Sequence, residues 1–125
     1  MSTPTAPRVL SVGQCGYDDS RIAQVVRAAL GAYLDRAADG DEARQLLAAR
    51  NYVLVLVNRV FDAGDGTGLA FIAECKRAGV PVPLMLVSDY PDAQDEAEGL
   101  GALRGFGKSA IARADIPDIL RAAVS

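Results

Sequence analysis

The chain has 125 residues, half of them hydrophobic, and a formal net charge of -3. That length suits one domain with its own core, and without a basic stripe to neutralise phosphates the composition argues against a nucleic-acid partner. There is no histidine, which removes His-based triads, the commonest general base and the commonest metal ligand together.

In chain order, residues 1–7 are rich in Ser, Thr and Pro without a basic-then-apolar pattern, so they read as a disordered lead-in and not a signal peptide. A single domain is expected over residues 8–125. The run Val9, Leu10, Ser11, Val12 is too short and too apolar for anything but a buried strand. A helix follows over residues 19–30, with Ile22, Val25, Val26, Ala29 and Leu30 on one stripe. Residues 32–36 carry charge and suit an edge strand. The helix over 41–50 shows Ala43, Leu46 and Leu47 on its inner face. Residues 52–57 form the second rich apolar run. Next comes a helix over 68–78, where Leu69, Ile72 and Cys75 face the core. Residues 83–87 make the third apolar run, 93–100 a short and mostly polar helix, 102–106 a second edge-like strand, and 116–124 a closing helix on Ile119 and Leu120. The expected helix caps are Asp18 or Asp19, Asp39 or Asp41, Thr67, and Asp115.

Five β-α units in alternation imply a doubly wound α/β fold with right-handed crossovers. The three richest strands are the first, third and fourth, so the poorer second and fifth belong at the edges. That is a flavodoxin-like (βα)5 parallel sheet in the order 2-1-3-4-5. In such a sheet a ligand site lies beyond the carboxyl ends of the strands, at the switch point between the first and third. The loops concerned are 13–19, 58–65, 88–90 and 107–109. The two cysteines, Cys15 and Cys75, have neither zinc-ligand nor disulfide-scaffold spacing, and a reducing cytoplasm is the natural setting. No apolar run approaches the roughly 20 residues of a membrane helix, so no membrane partner is expected.

At those loops, from Arg8 onward, the chain resembles the receiver domains of two-component response regulators, the CheY-like family. The resemblance aligns Asn58 with the phosphoacceptor aspartate, and Gln14 and Cys15 with the acidic pair that holds Mg²⁺. Ser88 falls at the hydroxyl position and Lys108 at the lysine position, with Ser109 where the family has proline. The loop from Asn58 to Gly68 is about two residues longer than is usual in the family. A hard cation wants carboxylate oxygens in near-octahedral geometry, and these residues offer none. An amide cannot take up a phosphoryl group as an acyl phosphate, because its nitrogen lone pair is delocalised. The resemblance therefore implies a stand-alone, degenerate receiver: not an enzyme, with no cofactor and no metal. It would act by binding a protein partner, whether a kinase, another receiver or an unrelated target, and a homodimer is compatible with it. Family precedent places that partner on the fourth helix, fifth strand and fifth helix, where the residues themselves suggest Tyr90, Arg104 and Phe106 as anchors. Strand alternation turns Phe106 inward unless the strand is shortened. Arg21 and Arg27 on the first helix are the alternative.

Two rival readings follow from the residues. Cys15 and Arg21 have the Cys-x5-Arg spacing of small Cys-based phosphatases, and Cys15 alone would suit a redox sensor, but Asp18 and Asp19 would lie inside the phosphate cradle. Alternatively Asp18, Asp19, Asp62, Asp65 and Asp89 form a displaced metal site along the same rim. Their ordinary roles are helix capping and turn formation.

Overall fold

The computed structural model describes residues 6–61 and 66–124. The strands are β1 (Arg8–Val12), β2 (Tyr33–Ala37), β3 (Leu54–Asn58), β4 (Leu84–Val87) and β5 (Leu103–Phe106). They alternate with helices α1 (Gly16–Leu30), α2 (Gly40–Ala49), α3 (Gly68–Arg77), α4 (Pro91–Gly99) and α5 (Ile116–Val124). All paired strands are parallel and the order is β2-β1-β3-β4-β5. This is the flavodoxin-like architecture expected from the hydrophobic grading of the strands.

Every residue of β3 and β4 is buried, because helices cover both faces of the sheet. Leu10, Val12, Val55, Val57, Leu84 and Leu86 point to the layer of α2, α3 and α4. Val9, Leu54, Leu56, Met85 and Val87 point the other way, to α1 and α5. Period-two alternation of apolar residues on both faces is why these runs read as continuous hydrophobic stretches.

Three expectations need correction. Residues 1–5 of the expected lead-in lie outside the described residues, and the Pro7 carbonyl accepts from the Tyr33 amide (2.9 Å). Helix α1 begins at Gly16 and is capped by the Cys15 sulfur, which accepts from the Asp18 amide. Asp18 and Asp19 are not caps, because each carboxylate has a stronger, cationic partner across the fold. Asp39 and Thr67 do cap α2 and α3, whereas the Asp115 side chain is taken by Arg113.

The last correction is Phe106, which is 5 % exposed and packs with Met85, Val87 and Ile111. The β4–β5 pairing shifts register between Met85 and Val87, and a Cβ at Gly105 would sit 2.0 Å from the Leu86 carbonyl oxygen. Only glycine fits that close approach, so β5 carries no side chain there and Phe106 turns into the core. An aromatic residue has no room at position 105.

Candidate functional site

The carboxyl ends of β1, β3, β4 and β5 bring Gln14, Cys15, Asn58, Ser88 and Lys108 to one end of the sheet. A cleft of about 300 Å³ opens there, lined by Asn58, Arg59, Ser88, Asp89, Tyr90 and Lys108.

Asn58 is buried, and its amide nitrogen donates to two backbone carbonyls, Gly13 (3.0 Å) and Val60 (2.6 Å). These two bonds tie the β1 loop to the β3 loop. A hydrogen-bond donor therefore occupies the space between two carbonyl oxygens. Gly13 has φ +78°, and a Cβ on it would lie 2.2 Å from the Phe61 ring. Phe61 is itself buried, edge-on to Phe71, and closes the loop from below. The segment after β3 folds back through a bridge between Val60 and Thr67, with the Phe61 amide donating to the Gly66 carbonyl (3.1 Å).

Lys108 does not reach for Asn58. Its ammonium lies 2.9 Å from the Asp18 carboxylate, which also accepts from the Cys15 thiol at 3.2 Å. Burial disfavours the Asp18 charge, but the hydrogen bonds from Lys108 and Cys15 and the Lys108 charge outweigh it, and the carboxyl is held below its ordinary value. Asp19, one residue on, points to a different side of α1. It accepts from Ser11 Oγ (2.5 Å) and from Arg36 Nε (2.6 Å). Ser88 Oγ accepts from the Tyr90 amide (3.1 Å) and so shapes its own loop. Asp89 accepts from the Ser109 hydroxyl (2.6 Å). Gln14 is 5 % exposed, and neither atom of its amide has a hydrogen-bond partner among the described residues.

The displaced metal site does not assemble from the described residues: Asp18, Asp19 and Asp89 are each taken by a different partner, and no group of three His, Cys, Asp or Glu side chains is placed to hold an ion. Asp62 and Asp65 lie outside the described residues. Mg²⁺ is the ion that the fold's relatives would imply, and the donor set does not fit it. Gln14, Cys15 and Asn58 bring no carboxylate, and the Asn58 nitrogen already takes the oxygens of Gly13 and Val60. The Cys-x5-Arg motif does not form an anion cradle either. Arg21 stacks on the Tyr17 ring, 5.7 Å from its centroid, and the sulfur faces the Asp18 carboxylate.

On the α4–β5 side, Arg104 is held by Asp95 (2.8 Å) and Glu98 (2.7 Å) of α4. Tyr90 is 60 % exposed, with the Arg59 guanidinium 4.7 Å over its ring. Three roles escaped the sequence reading. Asp18 passed for a cap. Arg59 gave no signal as the partner of Tyr90. The third is Gln94: its amide nitrogen donates to the carbonyls of Leu86 (2.9 Å) and Ser88 (3.1 Å), and its oxygen accepts from the Gly105 amide (2.9 Å). A polar side chain thus clamps α4 to β4 and β5, so this helix is anchored by hydrogen bonds where apolar contacts are few. The one available signal was its position beside Ala93, between small residues on the buried stripe.

No protein-family model and no curated protein matches the chain. Solved structures do, and they define the class: this is the flavodoxin-like fold of response-regulator receiver domains. The signal receiver domain of an HD domain-containing protein from Pseudomonas fluorescens Pf-5 is 25% identical over 98% of this chain and 88% of its own, with a TM-score of 0.71. HP1043, an orphan response regulator of H. pylori, is 21% identical over 98% of this chain and all of its own, with a TM-score of 0.78. NtrX from Brucella abortus is 21% identical over 96% of this chain, with a TM-score of 0.78, and the chain spans only 27% of that protein's length.

Proposed function

We propose that the protein is a degenerate receiver that works in cytoplasmic signalling without aspartyl phosphorylation, by binding a protein partner. The observation that carries this reading is the bonding of Asn58: its amide is the donor that holds Gly13 and Val60 together. An amide is no acceptor for a phosphoryl group, and the nitrogen of this one is already committed to the two loops. Lys108, the cation that would answer a phosphoryl group, is neutralised by Asp18. The receiver fold without the chemistry leaves surfaces as the output, and an orphan response regulator stands among the structural neighbours. A kinase, another receiver or an unrelated target each suits such a module.

The partner surface favoured here is the rim around Tyr90, where an exposed aromatic ring is held flat by Arg59. Tyrosine and arginine are the residues most often found to dominate binding energy. Arg104 contributes through the α4 geometry it fixes, and Phe106 is removed from the anchor set by its burial. The test is intact-protein mass after treatment with a small acyl phosphate and Mg²⁺. The mass stays unchanged; a stable gain of one phosphoryl group overturns the reading.

A further inference from the structure

The end of the sheet opposite Asn58, where the strands begin, carries two adjoining hollows. One, of about 460 Å³, is walled by Leu47, Cys75, Val80, Pro81 and Val82. The other, of about 580 Å³, is lined by Pro7, Arg8 and Val53. Arg50, Asn51 and Tyr52 line both, so the two hollows adjoin along these residues, the first mainly apolar and the second carrying Arg8 as well as Arg50.

The charge in the second hollow is unbalanced. Arg8 and Arg50 each place one nitrogen 2.9 Å from the same carboxylate, Asp35, and Tyr52 donates its hydroxyl to that carboxylate at 2.7 Å. One negative charge thus serves two guanidiniums, each of which keeps most of its five N–H donors. Arg27 adds to the excess. It stacks at 4.7 Å on Tyr33, the ring that Arg8 also covers, and has no ion pair among the described residues. At the far apolar end Arg44 is offset by Asp41 and Glu74. A chain of net charge -3 therefore gathers positive charge beside an apolar hollow.

The geometry points to a binding site for a small amphipathic carboxylate. Its apolar body lies along Leu47, Val80 and Val82, and its carboxylate bridges Arg8 and Arg50, the planar fork being the group best suited to two parallel hydrogen bonds. Apolar enclosure with a few convergent polar groups is the usual build of a small-molecule site. This site stands apart from the cleft at Asn58 and from the absence of phosphorylation proposed there.

The test uses octanoate as probe, with octan-1-ol and acetate as the two halves of the ligand, followed by amide chemical shifts of the whole chain. Octanoate shifts Arg8, Tyr52, Cys75 and Val80 saturably and binds at least tenfold more tightly than either control. Arg50→Gln lowers octanoate affinity about tenfold and leaves octan-1-ol unchanged, while Val80→Asp weakens both. Each variant is first confirmed folded by circular dichroism. Equal affinity for octanoate and octan-1-ol, shifts centred away from these residues, or no saturation would overturn the assignment. A failure here leaves the mass test untouched, since that test reads the other end of the sheet.

Discussion

The two ends of the sheet hold similar residue types and treat them in opposite ways. At the carboxyl end the two buried carboxylates are each paired within the chain: Asp18 with Lys108, Asp19 with Arg36. The Asn58 amide is likewise spent on loop carbonyls. At the amino end two arginines share Asp35, and Arg50 also lines the apolar hollow of Leu47 and Val80. A familiar arrangement of strands therefore does not by itself make a site available. What matters is whether the polar groups gathered there already have partners, since a satisfied donor offers a ligand little net energy.

The largest effect expected is at the closed end. Asn58→Asp replaces a donor by a carboxylate facing the carbonyls of Gly13 and Val60, and a buried charge without partners costs roughly 3 kcal/mol. Urea unfolding should show that loss, and the variant should still gain no phosphoryl mass, because Gln14 and Cys15 supply no carboxylate. If Asn58→Asp is as stable as the parent, the carboxyl end is more open than its bonding implies.

Lys108→Ala should cost about 1–2 kcal/mol at neutral pH, less than a fully buried pair because the lysine is partly exposed. The pH dependence has a definite sign. The folded Asp18 carboxyl is held below its ordinary value of 3.8, so its contribution is present above that pH and is lost as pH falls through the lowered folded value. The gap between parent and Lys108→Ala should therefore close in acid. Stability curves collected from neutral pH downward check this, and a gap that persists unchanged in acid would assign the lysine a role other than pairing with Asp18.

The smallest effect lies at the open end. Tyr52→Phe removes one of the hydrogen bonds to Asp35, worth about 1 kcal/mol. Burial and the Asp35 carboxylate push the Tyr52 hydroxyl up to about 12 from its ordinary 10.0. Its contribution is whole below the ordinary value and is lost as pH rises toward the folded one. Among the four tyrosines of the chain, one should ionise last in a spectrophotometric titration, and that late step should vanish in Tyr52→Phe. Four indistinguishable steps would mean that Asp35 is not held where the groove requires it.

Much of the fold was legible because burial writes itself into composition. β3 and β4 are covered on both faces and read as unbroken apolar runs, while β2 and β5 carry Asp35, Arg36 and Arg104 and could be assigned to the edges. The positions of Asn58, Ser88 and Lys108 at strand ends followed from the same pattern. Partner choice was not legible. Asp18 and Asp19 are neighbours in sequence, yet successive helical residues point about 100° apart, so one meets Lys108 and the other Arg36. Nothing local distinguishes such a residue from a helix cap.

The sequence by itself determined the five β-α units and their order in the sheet. These depend on residue identity and on short-range periodicity, both of which are local. Tertiary structure alone decided that Cys15 caps α1, that Gln94 clamps β4 to β5, that Phe106 turns inward behind Gly105, and that Arg8 and Arg50 meet on Asp35. In Gln94, Phe106 and the Asp35 cluster, the deciding atoms belong to other elements of the chain or to a backbone approach that leaves no room for a Cβ at Gly105. Such proximity is a product of packing, and no linear pattern records it.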